Sequence, residues 1–296
     1  MLGEASALGA SFSWALTSIL LRTQVTKLGA IGLTGWLFAF ASVPFLVLLF
    51  ATSKARELWQ ITLLWLLLLL AAAIVGRVLG DLLWVKSLQA AGVSRSLPAS
   101  VSSYPLFTIF LAVLFLDEAM SYVMAIGGIL VMVGIYLVAH PPRHAEAEPP
   151  QGKPALVKVG VSLAVLAGLL WAVETIILKR GLERFHPITI SIVELPIAAA
   201  ALLLIAGMRG GGMSLRKYGG KGIAAIAAAA ALGVVMGGLL FLFAVSRAGA
   251  AKTAILASTS PLFGLPLAFL ILREPLTRKV AVGTASCLLG IFLLMA

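Results

Sequence analysis

Long apolar runs follow one another from one end of this chain to the other, and few charged residues interrupt them. A helix that crosses the roughly 30 Å hydrocarbon core of a bilayer needs about 20 mostly apolar residues. Only 11% of the residues are charged, whereas a soluble domain would be about a quarter charged. Runs such as LLWLLLLLAAAIV do not alternate polar and apolar residues as barrel strands do. The sequence therefore predicts an all-α integral membrane protein.

Breaks between the runs predict ten transmembrane helices. Polar segments at 52–57 and 117–121 separate neighbouring spans, and the prolines and charges of 140–154 forbid a spanning helix. With ten spans, both ends of the chain lie on the same side of the membrane. The predicted spans are 4–26, 30–51, 60–88, 94–116, 120–139, 156–180, 186–206, 221–246, 251–272 and 275–295.

The chain also repeats itself on either side of the polar segment. The phrase WALTSILLR, which begins at Trp14, returns as WAVETIILK at Trp171. Matches of glycine, proline and glutamate held in register across a whole half are not expected by chance in an apolar sequence. Such pairs are Gly76 with Gly233, Gly80 with Gly237, Pro105 with Pro261, and Glu118 with Glu274.

The repeat predicts a first five-helix half over residues 1–139, a polar linker over 140–155, and a second five-helix half over 156–296. Because five is odd, the second half starts on the opposite side of the membrane from the first. The halves are then inverted repeats, related by a pseudo-two-fold axis in the membrane plane. Secondary transporters use this arrangement and bind substrate near the midplane between the halves.

These features resemble the EamA-type branch of the drug/metabolite transporter superfamily. The resemblance rests on two five-helix copies that each begin with a W…K/R helix, on the phrases AAGVSRS and RAGAAKT, and on PLF followed by a glutamate. It covers about 4–139 and 156–295. It implies export or exchange of small organic solutes, amino acids and other metabolites among them, without ATP. The sequence agrees, since it contains no GxxxxGK[ST] motif.

Four ionisable residues lie inside predicted spans, where each costs several kcal/mol. Arg77 and Asp81 are four residues apart, so they either form a local ion pair or face the cavity, where Arg77 would hold a substrate carboxylate. Glu174 and Glu194 are either hydrogen-bonded carboxyls packed between helices or sites for a substrate amine or a proton. The repeat places uncharged residues at the equivalent positions, which argues against a role in folding alone. These counterparts are Val234, Gly238, Thr17 and Leu37.

Further candidates are aromatic, hydroxylated or small. Trp14 and Trp171 either stack on a flat or cationic substrate or anchor the helices at the membrane interface. Hydroxyls precede Pro105 and Pro261, where they either support a proline kink or line the substrate path. Small residues four apart let helices approach closely. The hydroxyl group comprises Ser102, Ser103, Tyr104, Ser258, Thr259 and Ser260, and the packing glycines are Gly76, Gly80, Gly233 and Gly237.

No enzyme signature is present in the sequence. The histidines His140, His144 and His186 lie at or near connections without the spacing of a metal site, so neither a metal nor a cofactor is expected. The net charge of +11 is spread over many short connections, which is typical of membrane proteins and gives no reason to expect nucleic acid.

The sequence therefore predicts a secondary transporter, an exporter or exchanger of a small, amino-acid-like metabolite that works by alternating access. The expected partners are that solute and the bilayer of the plasma (inner) membrane, with the chain a monomer or a homodimer. The positive-inside rule places the termini outside and the family resemblance places them in the cytoplasm, so orientation stays open. A channel, a flippase for lipid-linked substrates and a membrane-embedded enzyme are the competing hypotheses.

Overall fold

The structure is a computed structural model that describes residues 1–21, 25–91, 93–139, 154–208, 214–260, 262–263 and 278–295. These residues are overwhelmingly helical and include no strand. Short helical turns at Ala55–Leu58 and Leu215–Tyr218 lie in two connections. The main helices are α1 (Leu2–Leu21), α2 (Val25–Ala51), α3 (Leu63–Ala91), α4 (Val93–Leu116), α5 (Tyr122–Ala139), α6 (Pro154–Leu182), α7 (Pro187–Met208), α8 (Gly219–Ala248), α9 (Ala250–Ala257) and α10 (Arg278–Met295).

Among the described residues, six helical segments are long and apolar enough to cross a membrane, which confirms the prediction of an all-α multi-pass membrane protein. Large apolar side chains cover the outside of the bundle, as expected of helices that face lipid. Of the predicted span 251–272, the structure describes 251–260 and 262–263. The six segments are Ile31–Ala51, Leu63–Ala91, Ala99–Leu116, Ala155–Leu182, Pro187–Met208 and Gly219–Ala248.

Two of these helices contain a π-helical segment, a feature that the sequence patterns did not predict. In α3 it spans Ala73–Gly80, and in α8 it spans Ala230–Met236. A π-helix bonds residue i to residue i+5, is rare in proteins, and is frequently found at functional sites. The two segments occupy equivalent positions in the predicted sequence repeat, so α3 and α8 carry the same irregularity.

Glycines set the closest approaches between helices. A Cβ atom added at Gly3 in α1 would lie 2.9 Å from the Cβ of Ala248 in α8. One added at Gly160 in α6 would lie 2.5 Å from the Cβ of Ala91 in α3. Because real Cβ atoms do not approach this closely, α1 packs on α8 and α6 packs on α3 only through the missing side chains.

Helices α5 and α10 pack together through the same device. A Cβ atom at Gly127 would lie 3.0 Å from the carbonyl oxygen of Gly290, and one at Gly134 would lie 2.6 Å from that of Gly283. The thiol of Cys287 is buried against this contact, 3.5 Å from the carbonyl oxygen of Val131. The last helices of the two predicted halves are thus in close backbone contact.

The start of α1 and the end of α10 lie at the same end of the bundle. Glu4 forms an ion pair with Lys252 at the start of α9, with 3.2 Å between Oε1 and Nζ. Lys252 in turn lines the same cavity as Leu294 of α10. Gly3 contacts Ala248, so α8 also ends here.

Candidate functional site

A buried ion pair joins α3 to α6. Arg77, in the π-helical segment of α3, places its Nε atom 2.7 Å from Oε1 of Glu174 in α6. The Arg77 side chain is 29% exposed and that of Glu174 is 7% exposed. The guanidinium carbon also lies 5.8 Å from the ring centre of Phe38 in α2. The ion pair therefore sits where α3 and α6 meet, with an aromatic ring of α2 beside it.

Of the two alternatives for Arg77 and Asp81, the structure does not show the local ion pair, because Arg77 pairs with Glu174. Asp81 instead accepts a hydrogen bond from Nε1 of Trp171, with 3.1 Å between the two atoms. The sequence argument considered only neighbours on the same helix, whereas both partners of these groups come from α6. Two side chains of α3 are therefore held by two side chains of α6.

Glycines of α3 make room for these α6 side chains. A Cβ atom at Gly76 would overlap the Glu174 carboxylate, and one at Gly80 would lie 2.8 Å from Nε1 of Trp171. The positions predicted from their small-xxx-small spacing thus face functional candidates on the neighbouring helix. The edge of the Trp84 ring also packs on Trp171, with ring centres 6.0 Å apart.

Glu194 is the most deeply buried carboxylate of the group. It lies on α7, two residues before Pro196 inside the same helix, and is 2% exposed. It interacts electrostatically with Glu174 and Arg77, so it belongs to the same cluster. Among the described residues, its Oε1 atom has no hydrogen-bond partner. A buried polar atom without a partner is costly and calls for a functional explanation.

Tyr104 of α4 completes the polar group through Thr175. The hydroxyl oxygens of Tyr104 and Thr175 are 3.1 Å apart, and Thr175 donates to the carbonyl oxygen of Trp171 at 2.9 Å. Because a threonine hydroxyl has a single proton, Tyr104 is the donor to Thr175. This contact ties α4 to α6 one residue beyond Glu174.

The contact between α1 and α8 has the same geometry without the charges. A Cβ atom at Gly233 would overlap Thr17, and one at Gly237 would lie 2.9 Å from Nε1 of Trp14. Trp14 donates to the carbonyl oxygen of Gly233 at 3.0 Å, inside the π-helical segment of α8. Thr17 donates within its own helix, to the carbonyl oxygen of Ser13 at 2.8 Å.

Comparison with known proteins identifies the family to which this chain belongs. The model of the EamA-like transporter family matches residues 1–139 and 158–296, nearly the whole chain. The chain belongs to the EamA-like transporter family. The two matched ranges leave out part of the polar linker between the predicted halves.

Two curated relatives of this EamA-like chain come from Archaeoglobus fulgidus, and each is named "Uncharacterized transporter". The first is 25% identical over 295 residues, which cover 100% of this chain and 98% of the relative. The second is 23% identical over 198 residues, which cover 66% of this chain and 65% of that relative. Family and relatives point to a transporter, which is not an enzyme.

A protein of known crystal structure shares the fold. It superposes on this EamA-like chain with a TM-score of 0.78 at 16% sequence identity, and the match covers 98% of this chain and 95% of that chain. At this identity the likeness concerns the fold alone.

In this EamA-like chain, the hydroxyls near the prolines mostly bond to carbonyls of their own helices. Ser103 donates to Ser100 at 3.2 Å and Ser258 donates to Ala254 at 2.8 Å. Thr259 donates to Leu256 at 2.6 Å, and its oxygen is also 3.1 Å from that of Ser11. Ser102 and Ser260 are half-buried and Pro105 is buried, whereas Pro261 lies outside the described residues.

A cavity of about 910 Å³ opens at the end of the bundle where α4, α6, α8 and α10 end. We call it the vestibule. The carboxylate of Glu118 forms part of its wall and accepts the backbone N–H groups of Ala250 and Ala251 at 2.7 and 3.0 Å. This caps α9, which begins directly after Gly249 with its φ of 87°. The charged lining residues are Glu118, Lys179, Glu183, Arg247 and Lys252.

An apolar layer lies beside the vestibule of this transporter. Ile176 follows Glu174 by two residues on α6 and precedes the vestibule residue Lys179 by three. It packs with Ala112 of α4 and with Ala250 at the start of α9. Sequence patterns missed the vestibule and this layer, because both arise from contacts between distant helices.

Proposed function

We propose that this chain is a secondary transporter that exports or exchanges a small, amino-acid-like organic metabolite by alternating access. The observation that carries the proposal is the ion pair of Arg77 and Glu174 with Glu194 beside it. Ionisable groups inside a membrane protein are costly and mark substrate or ion pathways. The equivalent contact between α1 and α8 packs without any of them, so packing alone does not require these charges.

The chemistry of the cluster suits a solute that carries both a carboxylate and an amine. Nε of Arg77 is taken by Glu174, which leaves the two terminal nitrogens with their four N–H donors for a substrate carboxylate. A substrate ammonium would find acceptors in Glu174 and Asp81. Trp171 and Trp84, whose rings pack edge to face with centres 6.0 Å apart, lie on the same two helices and would favour the positive end of the solute.

Equivalent contacts in the two halves support the inverted repeat. Gly76 faces Glu174 as Gly233 faces Thr17, and Gly80 faces Trp171 as Gly237 faces Trp14. In each case the first helix of one half packs on the third helix of the other half. Two interchangeable halves of this kind, over residues 1–139 and 156–296, would supply an outward-open and an inward-open form.

The vestibule supports a carrier over a channel. It opens at one end of the bundle, beside the apolar layer around Ile176, which we propose as part of the barrier between the vestibule and the charged cluster. A carrier needs such a barrier, because its path is never open at both ends at once. Pro105 and Pro261 remain our proposed hinges for opening it, with the hydroxyls around them along the path. The plasma (inner) membrane remains the proposed location and a monomer or homodimer the proposed assembly.

Counterflow in liposomes tests the function. The purified protein is reconstituted in vesicles that contain a concentrated mixture of unlabelled amino acids, and entry of the same mixture in radiolabelled form is followed. We expect saturable counterflow by the wild type and loss of most of it in Glu174→Gln. Asp117, which is exposed in the connection between α4 and α5 and does not line the vestibule, gives the matched control Asp117→Asn. Ionic conductance, lipid flipping or a chemical product without counterflow would favour the channel, the flippase or the enzyme instead.

A further inference from the structure

One guanidinium, that of Arg77, lies close to carboxylates from three helices. Glu174 of α6 holds it at 2.7 Å, and Asp81, four residues along α3, accepts the indole N–H of Trp171. Glu194 lies on α7, which packs on the π-helical segment of α3, where Leu195 and Val78, the chain neighbours of Glu194 and Arg77, share one apolar cluster. The Oε1 atoms of Glu174 and Glu194 both lack a hydrogen-bond partner among the described residues, but only that of Glu174 has an ion-pair partner, and Glu194 is 2% exposed. An ionised carboxylate in this position would be uncompensated, which is strongly unfavourable in a buried site.

The helices around Glu194 bring no second cation to it. Helix α2, which packs along α7, has no charged residue from Ile31 to Ala51. Helix α3 contributes Arg77 and Asp81 at this level, and α6 contributes Glu174. The remaining charged residues of α6 and α8 in the described part of the chain lie toward the helix ends. They are Lys158, Lys179, Arg180, Lys221 and Arg247.

We propose that Glu194 carries the proton that couples transport to a proton gradient, and that it acts through Arg77. This inference rests on the proposed transport function. With the proton on Glu194, Arg77 is left to its pair with Glu174, as in this structure. When the proton leaves to water, the Glu194 carboxylate competes for the guanidinium, and Glu174 is released to accept the substrate ammonium. The proton taken up from the other side of the membrane then restores the first arrangement.

The burial of the three groups supports this division of roles. The Arg77 side chain is 29% exposed, so a solute can reach its guanidinium, whereas Glu174 and Glu194 are both buried, at 5% and 2% exposed. A proton needs a single oxygen atom, whereas an alkali cation needs several oxygens around it. The partnerless oxygen of Glu194 therefore suits a proton. Glu194 is a positioning residue. Its protonation decides whether Arg77 pairs with Glu174 or with Glu194 itself, and Glu194 need not touch the solute.

The first experiment follows the intrinsic tryptophan fluorescence and thermal stability of the purified protein in detergent from pH 5 to pH 9, because Trp171 and Trp84 lie beside the cluster. We expect one transition in the wild type, the same transition in the control Asp117→Asn, and none in Glu194→Gln. Glu194→Asp keeps an acid at the position and should keep a transition. The idea is overturned if the wild type shows no transition, if Glu194→Gln keeps it, or if sodium chloride at constant pH reproduces it.

The second experiment imposes a gradient on vesicles that contain the protein and follows the radiolabelled amino-acid mixture. If one proton is exchanged per solute, a gradient of one pH unit should drive accumulation up to about tenfold in the wild type. Glu194→Gln should lose this response. A sodium gradient of equal size should have no effect, and a response to it would contradict the proposal. Absence of counterflow in the wild type would refute the proposed function, whereas the transition measured in detergent would still decide the role of Glu194.

Discussion

The contact between α3 and α6 and the contact between α1 and α8 are built on the same pattern. In both, a π-helical segment and two glycines receive a tryptophan and a polar side chain from the neighbouring helix. In one contact the polar side chain is Glu174, paired with Arg77, and in the other it is Thr17, bonded to its own helix. The two contacts therefore share their packing and differ in their charges.

This difference separates what holds the bundle together from what the bundle acts on. Features present in both contacts, such as the glycines and the indole rings, are sufficient for helix packing. Features present in only one contact add the desolvation cost of ionised groups without improving the packing. Each prediction below changes one side of this comparison and uses the other side as its control.

The largest effect is expected when Arg77 is replaced and its acidic neighbours remain. Arg77→Gln leaves the 7%-exposed Glu174 without its guanidinium, and breaking a buried ion pair costs about 3–5 kcal/mol. Thermal unfolding in detergent should show a large loss of stability for Arg77→Gln and a smaller one for Arg77→Lys, which keeps the charge.

The quadruple variant Arg77→Val, Asp81→Gly, Glu174→Thr and Glu194→Leu copies the uncharged contact, and it should fold but not transport. An unfolded quadruple variant would mean that the charges hold the fold.

The glycines should matter equally in both contacts. Gly80→Leu and Gly237→Leu each drive a side chain into an indole ring, since even a Cβ atom would lie 2.8 or 2.9 Å from Nε1. Overpacking of this kind costs about 1–3 kcal/mol. Thermal stability and transport should fall together in both variants. If only one of the two is affected, the contacts are not equivalent in solution.

Replacement of Glu174 alone should affect transport more than stability. Glu174→Gln keeps the shape of the side chain but ends the charge-assisted contact with Arg77, which is worth about 1.5–3 kcal/mol. We expect transport to fall at least tenfold while the protein still folds. Thr17→Val, the matched change in the other contact, should retain transport, since its hydroxyl bonds only to Ser13 among the described residues. Equal losses in both variants would remove the functional distinction between the contacts.

The smallest effect is expected at a carboxylate outside the spans. Glu57 accepts the backbone N–H of His186 and the hydroxyl of Thr189, both at 2.8 Å, at the start of α7. Burial alone would raise the pKa of Glu57, but these hydrogen bonds and Lys54 at 3.1 Å hold it below its usual value. The ionised Glu57 carboxylate therefore stabilises the fold fully at pH values above its pKa in the unfolded chain, about 4.3. This stabilisation is lost as the pH falls through the lower pKa that Glu57 has in the folded protein.

Replacement of this carboxylate provides the measurement. Glu57→Ala should destabilise the protein by about 1 kcal/mol, as expected for loss of a helix cap. The difference in melting temperature between Glu57→Ala and the wild type should shrink as the pH is lowered below 4. Transport by Glu57→Ala should match that of the wild type at neutral pH. A transport defect there would extend the functional region beyond the charged cluster.

Much of the helical layout could be predicted from the sequence, because apolar runs and the polar segments between them are local signals. For example, the predicted span 186–206 compares with the observed Pro187–Met208, and 30–51 with Val25–Ala51. The sequence repeat also pairs the glycines of α3 with those of α8 and predicts that they have the same role in packing. These features depend on residues that are close in the chain or on direct comparison of its two halves.

The partners of the candidate residues could not be predicted in the same way. Arg77 meets Glu174 across 97 positions of the chain, and Tyr104 meets Thr175 across 71. Neither separation leaves a periodic signal, and the nearer Asp81 offered a misleading alternative. The π-helical segments were missed because the sequence of Ala73–Gly80 reads as ordinary apolar helix, and the extra residue per turn is visible only in the backbone.

The π-helical segment of α3 also sets the rotational phase of the helix. Residues of an α-helix advance by about 100° each, since there are 3.6 per turn. The π-helical segment accommodates about one residue more than an α-helix would, so if the same residues Ala73–Gly80 were α-helical, Asp81–Ala91 would be turned by about that angle relative to Leu63–Ala72. Asp81 and Trp84 would then rotate away from Trp171. The length of this segment, as well as its composition, therefore decides which side chains of α3 face α6.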